Sequence, residues 1–287
     1  MPNGVLIIDK PQGWTSMDVC AKLRGIFREK RVGHAGTLDP MATGVLPVFL
    51  GRATRAVEFA SEGAKDYHAV LRLGIVTDTQ DVTGTVLEEK PVMVSAADIE
   101  AVLPQFRGDI EQIPPMYSAI KIDGQKLYDL ARKGREVERK PRPVTIHALE
   151  LGEQLSNTDF RLRVECSKGT YIRTLCHDIG QALGCGATMA ELRRTCAAGY
   201  TLDQAVTLEQ IQSAEDPAAL LASVDSCFAH LPKLTLTAAQ AKCVRNGMAF
   251  TYAAEGEWRV YDPNGEFLAV SHVVDGKMTT VKSFFNV

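Results

Sequence analysis

Apolar residues run unbroken from Gly4 to Ile8 and stop at the Pro11 and Gly13 turn, a pattern that predicts a buried strand. Gly44 to Leu50 predicts a second strand. Between them Val19, Leu23, Ile26 and Phe27 keep a helical spacing behind Ser16, which reads as the helix cap, while Lys22, Arg24, Arg28, Lys30 and Arg31 fall on the exposed side. Gly33 to Pro40 has two glycines, a proline and no usable period, and reads as a loop. Tyr67, Ala69, Leu71 and Leu73 alternate with His68, Val70 and Arg72, and Phe160, Leu162, Val164 and Cys166 alternate in the same way, which predicts two half-buried strands. Helices are predicted from the Ser95 cap through Phe106, over Gln125 to Lys133 as far as Gly134, and from Thr170 through Leu183. Pro114-Pro115 and an Asp123-Gly124 turn break the chain between the first two. Strands and helices do not alternate strictly, so the predicted class is α+β, with a mixed, largely antiparallel central sheet flanked by helices.

The character changes beyond Pro232. Thr237 and Gln240 form a capping box, and short strands gather around the Asn264-Gly265 and Asp275-Gly276 turns, predicting a small, mostly β C-terminal module of about 55 residues. The expected division is 1–230, including an insertion at about 114–143, and 231–287. Residues 203 to 232 read as helices wrapped on the main body.

Composition removes several classes. With 45% hydrophobic and 23% charged residues the chain is neither disordered nor collagen-like, and no apolar run approaches the roughly 20 residues of a membrane span. The first ten residues lack the basic start and small-residue cleavage site of a signal peptide, so a cytoplasmic chain is expected. The 7 cysteines are odd in number and never approach C-x2-C spacing, which points to buried small hydrophobes and away from disulfides or zinc. A net charge of -3 would argue against a polyanionic partner, yet residues 121 to 142 hold eight bases against four acids and residues 77 to 115 eight acids against two bases. Local potential steers a nucleic acid, so a positive face on an acidic chain fits an RNA or DNA partner, as it also fits a solvated helix face.

The chain carries no phosphate loop, dinucleotide fingerprint, zincin helix or serine elbow. His177-Asp178 lies on a predicted helix without other clustered histidines and reads as a surface pair, so no metal is expected. What remains is Gly33-His34-Ala-Gly36-Thr-Leu-Asp39-Pro40. An Asp before a Pro is commonly a turn former, but here the glycines allow a ligand close to the backbone, His34 can donate or stack, and a strand follows at once to hold the carboxylate. Such an acid needs a counter-charge to stay ionised in a dry cleft, and Arg173, at a helix start, offers one.

The string from Gly33 through Asp39 to Pro47 resembles the catalytic motif of the TruB family of tRNA pseudouridine synthases. Asp9-Lys10-Pro-Gln-Gly-Trp-Thr-Ser16, Lys65-Asp-Tyr67 and Cys166-Ser-Lys-Gly-Thr-Tyr-Ile-Arg173 are similar to three further family blocks. Pro114 to Lys121 with the basic stretch after it resembles the thumb-like RNA-gripping insertion of the bacterial branch. The resemblance implies that Asp39 is the catalytic aspartate, Tyr67 the aromatic stacked on the target uracil and Arg173 the partner of the carboxylate. It further implies that His34 fills the space left by a flipped nucleotide and that Tyr171 and Leu192 line the base pocket. Lys10, Lys121, Arg132, Lys133, Arg139 and Lys140 are candidate RNA contacts, and the C-terminal module is similar to a reduced PUA domain. The expected partner is the T-arm stem-loop of tRNA, bound by a monomer with no obligatory protein partner. A guide-RNA-dependent synthase, or an RNA-binding or RNA-folding module with secondary catalysis, are the alternatives.

The chemistry fits those residues. Pseudouridine forms when the N1 to C1' bond breaks, the uracil rotates and C5 joins C1', with no redox change and no added group, so no cofactor is expected. A carboxylate can attack the sugar or stabilise its developing positive charge. Extruding the base costs a few kcal/mol, which stacking worth roughly 1 to 3 kcal/mol per base helps to offset.

Overall fold

The computed structural model describes residues 2–122 and 124–285; Met1, and Asp123 of the expected turn, lie outside the described residues. Nine strands form the central sheet: β1 (Gly4–Lys10), β2 (Val32–His34), β3 (Thr43–Leu50), β4 (Lys65–Leu73), β5 (Gly108–Gln112), β6 (Arg142–Gln154), β7 (Asp159–Cys166), β8 (Ala187–Ala197) and β9 (Tyr200–Thr201). Their order is β1-β3-β8-β4-β7-β6-β5, with β2 on β3 and β9 on β8. Every pairing is antiparallel except β3 with β8, which run parallel where Thr43 and Gly44 face Arg193 and Arg194. This is the mixed sheet that the irregular order of elements predicts.

One face carries the principal core, in which Leu6, Ile8, Leu46 and Val48 meet Tyr67, Ala69 and Leu71. The helices α1 (Ser16–Phe27), α2 (Ala96–Val102) and α3 (Ile172–Ala182) close it through Val19, Leu23, Ile99, Leu175 and Ile179. The opposite face is also buried at β1 and β3, where Val5, Ile7, Val45 and Phe49 pack on Val224 and Phe228, so the unbroken apolar runs there are a consequence of two-sided burial.

Local chemistry shifts several boundaries. Thr15, not Ser16, caps α1: its hydroxyl accepts the Asp18 N–H at 3.0 Å and the Asp18 carboxylate accepts the Thr15 N–H at 2.9 Å, a reciprocal capping box. Ser16 instead turns inward. Gly33 and His34, read as loop, complete β2 by pairing with Phe49 and Val48. Tyr171 precedes α3 in place of Thr170, and the predicted helix over Gln125 to Lys133 gives its first two residues to a two-residue hairpin with Lys121–Ile122 before a shorter helix, Leu127–Ala131. Residues 203 to 232 are mostly short 3-10 turns around the single α-helix Leu208–Ser213.

A five-stranded sheet follows: β10 (Lys233–Thr235), β11 (Phe250–Thr251), β12 (Gly256–Tyr261), β13 (Phe267–Val274) and β14 (Lys277–Ser283), ordered β10-β12-β13-β14-β11. The helix Ala238–Arg245, capped by Thr237 and Gln240 as predicted, covers its own small core. This sheet is fastened to the rest. Phe228 packs against Phe59 and Phe284 with centroids 5.3 and 5.5 Å away, and the Tyr261 hydroxyl donates to Asp225 at 2.5 Å.

Gly44 sits where β3 and β8 pass closest, at φ +100°, and a Cβ there would lie 2.9 Å from the Arg194 nitrogen and closer still to its carbonyl oxygen. Gly44→Ala therefore combines a left-handed backbone penalty with overpacking, and urea unfolding should show a loss of about 3 kcal/mol or more.

Candidate active site

The loop from Ala35 to Ala42 leaves the sheet where β3 changes neighbours, from β2 at Val48–Leu50 to β8 at Thr43–Gly44. Seven hydrogen bonds hold it there. Ala35 N–H donates to the Pro47 carbonyl at 3.0 Å. Arg194 donates through Nε to Val45 at 2.7 Å and through Nη2 to Gly36 at 3.0 Å. Ser16 Oγ grips both backbone groups of Leu38, accepting at 2.9 Å and donating at 3.2 Å. The Pro40 carbonyl accepts from Gly13 N–H at 2.7 Å and from Lys10 Nζ at 3.4 Å. Asp39 is thus fixed from both sides by its neighbours' backbone.

Its carboxylate meets Arg173, whose Nε lies 3.0 Å from Asp39 Oδ2. The guanidinium side chain is 5% exposed and the carboxylate 36%, so the acid faces an incoming molecule and the base does not. Arg173 also lies 3.5 Å from Asp81 Oδ2 through Nη1, and it donates to the carbonyls of Thr79 and Tyr117, each at 2.9 Å. Burial pushes the Asp39 carboxyl above the ordinary carboxylate value; Arg173 opposes that, Asp81 reinforces it and Lys10 opposes it.

Tyr67 projects from β4 into the same core, 7% exposed, its phenol pushed up by burial and sensing both Arg194 and Asp39. Leu192, on the neighbouring strand β8, faces Ala69 across the pairing and is 8% exposed. Tyr171 is half-buried just before α3. His34 ends β2, its imidazole held neutral by burial and by Arg194, and its Nδ1 is buried without a partner. Beside the far end of the loop a groove of about 430 Å³ is lined by Met41, Thr43, His68, Leu192 and Arg193. The larger groove, about 530 Å³, lies at the other end of β4 around Leu73 and Gly74 and holds none of the candidate residues.

Two expected RNA contacts have other duties. Lys10 is fully buried and donates to the carbonyls of Pro11 at 2.9 Å and Trp14 at 2.6 Å as well as Pro40, with burial pulling its ammonium down to about 8. It braces the loop. Arg139 ties the basic segment to its root by donating to the Pro114 carbonyl at 3.2 Å and pairing with Glu136 at 2.9 Å. Lys121, Arg132, Lys133 and Lys140 are exposed, with Arg132 over the Tyr128 ring at 5.4 Å. Among the described residues no group of three or more His, Cys, Asp or Glu has the make-up of a metal site; His177 senses the Glu88 carboxylate.

Asp81 and Arg194 are absent from the sequence-based candidates. Asp81 was readable only as one acid in the Thr77 to Thr85 stretch, although Thr79, Thr83 and Gly84 around it mark a tight, hydrogen-bonded turn in which Thr83 N–H donates to Asp81 Oδ1 at 2.9 Å. Arg194 shares the inward parity of Leu192, and that alternation was its signal.

The family description "TruB family pseudouridylate synthase (N terminal domain)" matches residues 24–172, and "tRNA pseudouridylate synthase B C-terminal domain" matches 173–229. The boundary between the two falls inside the central sheet, between β7 and β8. The chain belongs to the TruB family of pseudouridylate synthases. It is 48% identical over 286 residues to the tRNA pseudouridine synthase B of Stutzerimonas stutzeri (strain A1501), covering 96% of this chain and 93% of that protein, and it matches the protein of the same name from Pseudomonas fluorescens (strain Pf0-1) to the same extent. The crystal structure of a Cbf5-Nop10-Gar1 complex contains a chain with the same fold, with a TM-score of 0.75 and 27% identity, over 98% of this chain and 85% of that one.

If the ionised Asp39 carboxylate is the working form, the single-turnover rate should fall on the acid side through a pKa above the ordinary 3.8, because burial raises it. Arg173→Lys, which loses the guanidinium fork, should move that limb further up. A rate–pH profile from pH 4 to 8 checks both.

Proposed function

We propose that this chain converts a uridine in the T loop of tRNA to pseudouridine, with Asp39 as the catalytic carboxylate, Tyr67 stacking on the uracil and Arg173 holding the carboxylate ionised. The observation that carries this reading is the Asp39–Arg173 pair: a guanidinium held by two carboxylates and two carbonyls presents a single, partly open acid at the end of a braced loop. Such an acid supports breakage of the N1 to C1' bond, by attack on the sugar or by charge stabilisation, and needs no activated water. The 48% identity to proteins named tRNA pseudouridine synthase B, over almost the whole chain, supports tRNA as the substrate and favours it over a guide-RNA-dependent role.

The remaining roles follow from placement. His34, neutral and half-buried at the loop's start, suits the space beside an extruded base; Tyr171 and Leu192 suit its edges. The exposed Lys121, Arg132, Lys133 and Lys140 suit backbone phosphates. We assign 1–230 to catalysis and 231–287 to an accessory RNA-binding module, in a monomer that works in the cytoplasm without an obligatory protein partner. No helix among the described residues is long and apolar enough to cross a membrane.

Asp39→Asn removes the charge at constant shape and should lower single-turnover conversion of an unmodified tRNA transcript by about 10³-fold while RNA affinity stays within an order of magnitude. Near-normal conversion by that variant would overturn the assignment. Replacing Lys121, Arg132, Lys133 and Lys140 with Gln should weaken tRNA binding and flatten its log-log salt dependence, by up to about 0.7 to 0.9 for each phosphate that is no longer neutralised. Binding titrations at several salt concentrations read the slope, and an unchanged slope would mark these residues as a solvated face.

A further inference from the structure

The basic segment is a small unit with its own core, Met116, Leu127 and Leu130, and its chain departs from the sheet at the end of β5. The last residue of β5, Gln112, is 1% exposed. Both ends of its amide meet one residue of another element: Oε1 accepts the Tyr171 N–H at 3.0 Å, and Nε2 donates to the Tyr171 carbonyl at 3.3 Å. A side chain here does what a neighbouring strand would do, and glutamine is suited to it because its neutral amide both donates and accepts. Tyr171 has no side-chain cap for α3, so this amide is what fixes the helix start, and Arg173 follows two residues later. Five residues beyond Gln112 the same chain returns to that arginine, where the Tyr117 carbonyl accepts from Arg173 Nη2 at 2.9 Å.

We propose that Gln112 is a positioning residue that couples the seating of the basic segment to the alignment of Arg173 against Asp39. When the segment rests on its root, Gln112 fixes the helix start and Tyr117 fixes one arm of the guanidinium, leaving Nε 3.0 Å from the Asp39 carboxylate. A segment displaced by a poorly fitting RNA pulls on both contacts, and the arginine loses register. Selection of the right RNA fold is thereby transmitted to the reacting acid through two residues that need touch neither base nor sugar.

This proposal rests on the isomerase reading, and its test is built so that the two can fail separately. Gln112→Met keeps the volume and removes both hydrogen bonds; Gln112→Ala removes volume as well. With protein in excess over an unmodified tRNA transcript, Gln112→Met should lose about 10- to 100-fold in single-turnover rate, as expected for a small misplacement of a reacting group, while the RNA Kd changes less than about 3-fold. The acid limb of its rate–pH profile should move to higher pH. Arg173 is the group whose support is weakened, Asp81 pushes the Asp39 carboxyl in the same direction, Lys10 is untouched, and Tyr67 and Tyr171 stay neutral. The same upward shift should appear in a carbon-13 titration of the Asp39 carboxyl in the free protein, which needs no substrate. Thermal melting separates loss of fold from loss of alignment. A wild-type rate and an unmoved limb in Gln112→Met would overturn the proposal, as would a rate loss that merely tracks the folded fraction with the Asp39 titration unchanged. If the wild-type protein leaves the transcript unmodified, the isomerase reading fails and the carboxyl titration alone decides the coupling.

Discussion

Four segments of the candidate site meet at one guanidinium. Arg173 enters from the first turn of α3 and holds Asp39 from the loop, Asp81 and the Thr79 carbonyl from the turn after β4, and the Tyr117 carbonyl from the basic segment. A buried arginine is tolerated only when its donors are met and its charge balanced, and here two carboxylates share it. The arrangement is asymmetric in a useful way. Asp81 is 6% exposed and tied down by its turn, whereas Asp39 is open to the cleft, so the pair leaves one acid free to meet a substrate and one to hold the arginine still. Four segments distant in sequence are thereby locked to each other at the point where the chemistry is proposed.

Beneath the loop lies a second constraint. Lys10, Lys65 and Arg194 sit on the inward parity of β1, β4 and β8, each less than 9% exposed, each donating to backbone carbonyls and none in an ion pair among the described residues. Lys65 caps the carbonyls of Ser61 and Gly63, while Lys10 and Arg194 brace the loop at Pro40 and Gly36. Three unneutralised cations are costly to bury. They are offset in part by carbonyl dipoles, and of the three Lys10 acts on the Asp39 carboxyl, opposing the burial that raises it. Burial first, and Arg194 second, favour the neutral His34 imidazole, free to pack as an apolar ring.

The strands were legible because their periods are simple: two-sided burial gives the unbroken runs of β1 and β3, and one-sided burial gives the alternation of β4 and β7. The boundaries at Ser16 and Gly33 were missed because each was decided by a contact distant in sequence, and the one at Gln125 because a tight hairpin took residues that fit a helical period. Ser16 is drawn inward by Leu38, Gly33 is recruited into β2 by Phe49, and Gln125 pairs with Ile122. Asp39, Arg173 and Tyr67 stood out by loop chemistry and by resemblance. Asp81 carried no such mark, since acids in a turn are common. Lys10, Lys65 and Arg194 did carry one, a charge in phase with the buried side of a strand, but a pattern that counts apolar positions passes over it.

Charge placement explains how an acidic chain can present a basic grip. On the open face of β4, β6 and β7 the acids are matched locally: Arg163 meets Asp66 at 2.6 Å, Glu150 at 3.0 Å and Glu165 at 3.7 Å, and Arg72 meets Asp159 at 2.7 Å. Those pairs are largely exposed or half-buried and contribute little to stability. Their effect is to flatten the potential over the sheet, whereas Lys121, Lys133 and Lys140 of the basic segment, like Arg28 and Lys30 after α1, are exposed and in no ion pair among the described residues. Beyond roughly a Debye length, about 8 Å at physiological salt, neutral pairs and remote acids are screened, so an approaching phosphate backbone senses the segment and not the total of -3. On the proposed RNA reading, the segment that would meet the polyanion is also the one that supplies the Tyr117 carbonyl to Arg173, the arginine beside Asp39. The stretch from the end of β5 to the start of β6 thus carries both a group of exposed, unpaired cations and, at Tyr117, one of the carbonyls that hold Arg173 against Asp39.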